Sequence, residues 1–563
     1  MMSPDTGHGF RHGVASFDPT ATNVLLWTRL DGHHSLRWTV TQDPELRAVV
    51  AEGQTETGPE HDWTSVVDVS GLEPGRSYWY RFATDSAESP VGRTRTLPAG
   101  PTDRFVLGLA CCARFATAPL GAYRALAQRE LDLVVHLGDY IYEDAGDKGT
   151  RRHQPAHPAV SLDDYRQRMA QMREDPDCQV LHRRHPMTGI WDDHDLADNA
   201  WRGGAKAHDP RRDGPWDQRV AAAAQARQEW LPARLTDRDQ LTRTWRTSVI
   251  GDLAELILPD TRFIGRDLQA SEEGAKPLHD PGRSLLGDEQ RGWLEARLAD
   301  TSRPWALLTS GVVVNQITLP VPAPRLINAA LPSGYSEVDD HLLHDDQWDG
   351  YPVERDRLIA SLGRRAEHGA RTVLLSGDVH SSWAFEGPVD EHGSAVAVEF
   401  TTPAIASEPM GRTRIPGGWR LFDAVASRLD HVRWCDVTER GYGILDVTPA
   451  SVHMTWWFVD SFDREPSGGE WLGATFRHAR SDWPPRLEAA TAGTGYSNRP
   501  DVRAASPHRP ADLDRLRRQR SKKRLIHRSG FAASVGGSAL LAVRSALRRY
   551  RTSRTSGKRW FHG

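Results

Sequence analysis

Hydrophobic patterning changes once along the chain, near residue 100. Before that point, short β-branched and aromatic runs at 23–28, 35–40 and 77–82 are separated by turn residues, Asp31-Gly32 and the segment 71–75. Runs of this type between turns predict strands. Their span suits a small all-β sandwich of about 100 residues. Leu97-Pro98-Ala99-Gly100-Pro101 reads as the linker out of it. From Arg104 onward, apolar runs of strand length alternate with Ala/Arg/Leu-rich helical stretches; the runs lie at 105–110, 131–137, 253–258, 305–309, 372–375 and 396–400. Continuous rather than alternating hydrophobicity predicts strands buried on both faces. With helices between them, the second region is an α/β layered domain. A last strand pair at 441–446 and 451–459 closes it. Beyond about residue 496 the chain turns polar, Pro-rich and then basic, with one helix expected near 533–550. The expected division is 1–100, 101–495 and 496–563.

Five runs end in chemically active side chains. The first leads to Cys111-Cys112 and the second to Gly138-Asp139. Gly189-Ile190-Trp191 leads to Asp192-Asp193-His194-Asp195. The run 253–258 leads to Asp260-Thr261-Arg262, and 372–375 to Ser376-Gly377-Asp378-Val379-His380. In α/β folds ligands bind just beyond the C-terminal ends of strands. Convergence of five such ends would gather these side chains in one cleft. The loop-like stretches 267–280 and 321–348 are expected to lie over it.

Composition bounds the function. At 563 residues the chain exceeds the roughly 250–300 at which one core stops growing, so several domains are expected. With 38% hydrophobic and 26% charged residues it is neither disordered nor a polytopic membrane protein. Four cysteines exclude a disulfide scaffold. The net charge of −4 hides an asymmetry: residues 511–563 carry fifteen Lys/Arg against two Asp, a net of +13, leaving −17 for the rest. That tail could bind an anionic membrane surface or another polyanion, or simply be solvated. Its apolar stretch 530–543 is too short to span a bilayer. No basic, apolar or twin-Arg leader stands at the N-terminus; read literally the sequence is cytoplasmic, and localisation stays open. Nothing in it calls for an obligate protein partner.

The strand ends carry metal-type donors. Gly138-Asp139 alone reads equally as a turn. Tyr142 lies three residues beyond Asp139, so one helical turn would put carboxylate and phenol on one face. A phenolate and a thiolate with hard oxygen donors suit trivalent iron better than zinc alone. Three carboxylates and an imidazole in Asp192–Asp195 would repel without a cation, unless they form a solvated acidic turn. Asn199 adds a neutral oxygen donor. Asp378 and His380 form an i, i+2 pair that points one way if the segment is extended. Cys112 and Cys111 compete as the thiol donor, whereas Cys178 and Cys435 look structural. Arg262 could hold a phosphate or a structural carboxylate.

Together these motifs resemble the PhoD-like alkaline phosphatases and phosphodiesterases, within the calcineurin-like metallophosphatase architecture. The matching segments are 13–19 with 26–29, 136–143, 191–195 with Asn199, 260–262, 350–352 and 377–380. The resemblance implies an α/β fold: a four-layer αββα metallophosphatase domain preceded by a small all-β, fibronectin III-like sandwich. It implies Fe3+ with Ca2+, other divalent metals being alternatives. Cys112, Asp139 and Tyr142 would contact the iron. Asp139 would bridge to a second site with Asn199, Asp378 and His380, and Asp193 is a further candidate ligand. His194 would be the proton donor or phosphate-binding imidazole, and Arg262 a phosphate contact. Three departures stand out: Cys111-Cys112-Ala113 replaces the usual Ser-Cys-Gln, the expected export signal is absent, and the basic C-terminal extension lies outside the match.

The expected activity is metal-dependent hydrolysis of phosphate mono- or diesters, a metal-bound hydroxide attacking phosphorus in line. The alternative is a phospholipase D-like phosphodiesterase acting on lipid or wall-polymer diesters. A non-catalytic binding module is the remaining reading, which bound iron in the purified protein would count against.

Overall fold

A computed structural model describes residues 9–490, except 147, 148, 150, 238, 318–335, 339, 340, 412–428 and 461–468. The expected basic tail and its helix lie outside the described residues, as does much of the stretch 321–348.

The N-terminal region folds as seven strands. Val49–Glu56, Ser35–Thr41, Ser77–Ala83 and Gly92–Arg95 form one antiparallel sheet in that order. Ser77–Ala83 alternates buried and half-buried positions, the period of a strand with one face on a core. That core joins Leu36, Val40, Tyr78, Tyr80 and Phe82 to Val14, Val24, Leu26 and Val69 from the facing strands. The facing strands Val14–Phe17, Val24–Arg29 and Thr64–Val69 do not form a closed sheet of their own. Val14–Phe17 runs parallel beside Met187–Ile190, with Phe17 opposite Met187.

Through that junction the three strands become one end of a ten-stranded sheet. Its order continues from Met187–Ile190 through Leu133–Leu137, Phe105–Ala110, Gly441–Val447, Ser451–Val459 and Glu470–Ala479 to Glu488–Ala489. Residues 97–101, expected as a linker, are pinned in place. Leu97 is buried and donates to Thr20 O at 2.9 Å, and Pro98 O accepts the Gly251 N–H at 3.1 Å. A buried ion pair reinforces the junction: the Asp18 carboxylate accepts from Arg246 Nε (2.8 Å) and Nη2 (2.9 Å), from the Arg234 N–H (2.7 Å) and from Thr188 Oγ1.

A second sheet of seven strands faces the first. Its order is Arg246–Ile250, Ala254–Leu258, Trp305–Ser310, Arg371–Ser376, Val398–Thr401, Ser382–Glu386 and Val432–Asp436. Leu107, Leu109, Leu133 and Val135 of the first sheet meet Leu256, Leu307, Val373 and Leu375 of the second, all fully buried. On the outer face of the first sheet, Val106 and Val134 pack under Tyr123, Leu126, Met169, Leu181 and Trp230 of helices Gly121–Ala127, Leu162–Glu174, Pro176–Arg184 and Trp216–Trp230. Ile257, Leu308 and Leu374 are covered likewise by helices Asp288–Ala299 and Pro352–Glu367. The layering is helix, sheet, sheet, helix, an α/β fold. It explains the unbroken apolar runs: in Phe105–Ala110 odd residues enter the central core and Val106 and Ala110 the outer one.

Local signals set the helix ends. Ser161 and Asp164 form a reciprocal capping box at the start of Leu162–Glu174. Asp175 then caps the next helix, whose first residue is Pro176. Among the described residues no helix is long and apolar enough to cross a membrane.

Candidate metal centre

Each strand end turns sharply where its chemistry begins. Among the described residues nine non-glycine positions have positive φ, and five of them are Cys112, Asp139, Asn199, Asp378 and His380. This costly conformation therefore concentrates at one place, as strain does at functional sites. After Phe105–Ala110, Cys111 keeps its side chain in the central core, its Sγ 3.5 Å from Thr402 O. Cys112, at φ 57°, borders the same core but brings its Sγ within 4.8 Å of donor atoms of Asp139 and His380. Gly138 has φ 102°, and a Cβ there would stand 2.7 Å from Asp192 N. Only glycine lets the strand ends bearing Asp139 and Asp192 approach this closely.

Asp195 fastens the same two loops. Its carboxylate accepts the backbone N–H groups of Asp139 (2.9 Å), Tyr140 (2.9 Å), Ile141 (3.2 Å) and Asp192 (3.0 Å). The run Asp192–Asp195 is thus no solvated turn: Asp192, Asp193 and Asp195 are all buried.

The donors form a continuous string. One atom each of Cys112, Asp139 and His380 lie within 4.8 Å of one another; the same holds for Asp139, Asp193 and His194, and for Asp192, Asp193 and Asp378. Asp139 links the first group to the second, and Asp193 the second to the third. Tyr142 Oη donates to Asp139 Oδ2 at 2.7 Å and lies 3.0 Å from His380 Nε2 and 2.7 Å from Ser407 Oγ. His194 stacks on the Tyr142 ring at 4.2 Å, and its Nδ1 lies 2.7 Å from Glu143 Oε2. The Arg262 side chain is fully buried and bonded to Asp192, to Asp346 (2.7 Å) and to Asp378 (2.8 Å).

The electrostatics of the site are those of crowded, buried acids. Burial, then the neighbouring Cys111, Asp139 and Asp378, pushes the Cys112 thiol up. Burial, with Asp139 and Cys112, does the same to the Tyr142 phenol. Burial and the adjacent Asp193, Asp192 and Asp195 raise Asp139 despite the opposing pull of His194. Burial lifts Asp378 to about 6 against Arg262. His194 is raised well above its ordinary range: Asp193, Glu143 and Asp139 overcome burial. One buried oxygen, Asp193 Oδ1, has no hydrogen-bond partner. A thiol, a phenol and carboxyls whose ionisation burial opposes, with an Asp193 oxygen that lacks a hydrogen bond, are what a bound cation would ionise and satisfy. The residues fit metal ions.

The structure brings Cys112, Asp139, Tyr142, Asp193, His194, Asp378 and His380 together. Asn199 reaches the group through its backbone, whose N–H donates to Asp193 Oδ2 at 2.6 Å. Two expected geometries do not hold. Asp139 and Tyr142 meet across an irregular turn rather than a helical one. His380 does not accompany Asp378: it joins Cys112 and Asp139, while Asp378 joins Asp192 and Asp193. The reason is local. The strand Arg371–Ser376 ends before both residues, and φ values of 62° and 47° abolish the alternation that an extended segment would impose.

Sequence reasoning gave no role to Glu143, Asp192, Asp346, Gln347 or Ser407. Glu143 and Asp192 stood inside recognised motifs. Asp346 and Gln347 come from the loop 321–348 and carry no strand-end signal; Gln347 Nε2 donates to Asp378 Oδ2. Loop 267–280 also reaches the site edge, where Gln269 Nε2 donates to Asn199 O (3.1 Å) and Asp346 Oδ1 (2.8 Å).

The sequence profile of the PhoD-like phosphatase matches residues 105–456, and that of the PhoD-like phosphatase N-terminal domain matches residues 3–98. The chain belongs to the PhoD-like phosphatase family. Alkaline phosphatase D of Bacillus subtilis (strain 168) is 31% identical over 473 residues, which cover 79% of this chain and 76% of that protein. A solved structure described as the structure of PhoD superposes with a TM-score of 0.75 at 28% identity, covering 93% of this chain and 99% of its own. This PhoD-like chain is accordingly a phosphatase, a metal-binding hydrolase acting on phosphate esters. The donor string lies at the strand ends of the matched region.

Proposed function

We propose that the chain hydrolyses phosphate mono- or diesters at the donor string, with ferric iron and calcium as its metals. The observation that carries this is the meeting of Cys112, Asp139, Tyr142 and His380 from three strand ends. Thiolate, phenolate, imidazole and carboxylate together suit a trivalent ion, whereas the oxygen-only group Asp192, Asp193 and Asp378 suits a hard divalent one. Asp139 belongs to two of the donor groups and would be shared. Bound there, such ions supply positive charge that polarises the phosphoryl group and makes water more acidic.

The chain's own groups do the rest. Glu143 fixes the His194 ring through Nδ1 and favours its imidazolium form. Nε2 is then the atom left to hand a proton to the departing alkoxide, the role of a general acid. Ser407 and Asp139 hold the Tyr142 phenol from two sides, and the stacked His194 ring covers its face. The fixed turns at Cys112, Asp139, Asp378 and His380 hold these donors in place before substrate arrives, which is the preorganisation that favours a charged transition state.

The test is to strip the protein with chelator, restore iron and calcium, and assay para-nitrophenyl phosphate and its bis-ester. Activity that returns with metal supports the reading, and the ratio of the two substrates separates monoesterase from diesterase. Iron bound by Tyr142 also predicts visible charge-transfer absorption that Tyr142→Phe abolishes. Equal turnover with and without metal would refute the mechanism.

A further inference from the structure

Arg262 invites the reading of a phosphate clamp, but its surroundings argue otherwise. All three guanidinium nitrogens are engaged by carboxylates. Nε donates to Asp192, Nη1 to Asp346 Oδ2 at 2.7 Å, and Nη2 to Asp378 Oδ1 at 2.8 Å and Asp192 Oδ2 at 3.3 Å. Asp193 Oδ1 lies 3.5 Å from Nη2. The side chain has no exposed surface. Its partner Asp346 is itself gripped by Arg266 Nη2 (2.7 Å) and Gln269 Nε2 (2.8 Å). The Arg262 backbone N–H is held by Asp260 Oδ1 at 2.9 Å. A group so tied has every nitrogen bonded to a carboxylate and no exposed surface to offer a substrate.

We propose that Arg262 is a positioning residue, the resident counter-cation of the Asp192, Asp193 and Asp378 group, and that it acts on the substrate only through those carboxylates. Three buried carboxylates with oxygens within 4.8 Å of one another repel unless a cation stands among them. The planar fork of arginine meets several carboxylates at once. It keeps the group assembled when no metal is bound and sets the spacing that a divalent ion enters. A divalent ion and Arg262 therefore stabilise the same charges, and each makes the loss of the other less damaging. This rests on the proposed function only for the class of ion added.

The experiment is thermal unfolding of the full chain, in chelator and in excess calcium chloride, for wild type, R262Q and R262K. In chelator, R262Q should melt about 3–5 °C below wild type, the scale expected in a chain this long when one partner of a buried ionic group is removed. R262K should fall between the two. Calcium should raise the melting point of R262Q more than that of wild type and close most of the gap. Inorganic phosphate, titrated calorimetrically into metal-loaded protein, should bind R262Q within about twofold of wild type, well short of the tenfold that losing about 1.4 kcal/mol of direct contact would bring. Wild-type melting of R262Q in chelator would overturn the proposal, as would a deficit that calcium leaves unrepaired or a tenfold loss of phosphate affinity. Should R262Q not be recoverable, R262K carries the test: its gain from calcium must exceed that of wild type. Neither readout needs turnover, so an inactive but metal-responsive protein would count against the phosphatase mechanism and leave this inference standing.

Discussion

Glu143→Gln isolates the proton-donor role of His194. Glu143 Oε2 lies 2.7 Å from His194 Nδ1, and Oε1 accepts the Asp198 N–H at 2.8 Å, so the amide keeps the shape and removes one charge. A hydrogen bond to a charged group contributes about 1.5–3 kcal/mol. Losing that charge lowers the His194 pKa from its raised position. The sign follows from its present state: Asp193, Glu143 and Asp139 hold it above its ordinary value against burial. Cations on Asp139 and Asp193 would offset two of these three carboxylates, leaving Glu143 as the main support of the imidazolium. Without it, the ring loses its proton at lower pH. On the alkaline side, kcat for an alkyl phosphate, whose leaving group needs that proton, should fall about 10- to 100-fold. Para-nitrophenyl phosphate, whose leaving group departs without one, should change little. Full pH–rate profiles for both substrates are the assay. Equal losses for the two, or an alkaline limb that stays where it was, would refute the reasoning.

Three further perturbations probe how the site is held. Asp18→Asn breaks the buried pair with Arg246 and should destabilise the chain by about 3–5 kcal/mol in urea unfolding; a change under about 1 kcal/mol would mean the junction is held elsewhere. Asp195→Ala leaves four backbone N–H groups without their acceptor, each costing about 1–3 kcal/mol, and elemental analysis of the folded variant should show lost metal. Gly138→Ala places a methyl group against Asp192 at a φ that disfavours it, and should lower kcat about 100-fold with an unchanged circular dichroism spectrum.

Much of the frame was legible because burial on two faces leaves a mark that any reading can find. The strand Phe105–Ala110 coincides with its apolar run, and Arg371–Ser376 differs from its run by one residue at each end. The segment 97–101 does connect the two regions, but that it is pinned in place was not legible, for the converse reason. Leu97 and Pro98 carry turn-like composition, yet the contacts that pin them come from Thr20 and Gly251, which no local pattern reveals. Glu143 is similar: its importance lies in one bond to His194, fifty-one positions away.

By itself the sequence determined which residue types stand at the strand ends, and hence that a thiol, phenol, imidazole and carboxylates were available together. Spacing could not say how they divide. Only the tertiary structure decided that Cys112 rather than Cys111 meets Asp139 and His380, that His380 and Asp378 join different donor groups, and that Arg262 is enclosed by acids. The physical reason is that hydrophobic periodicity follows from local geometry, two or 3.6 residues per repeat. The aim of a side chain after a strand depends instead on left-handed turns and on partners, such as Asp195 and Asp346, brought in from remote parts of the chain.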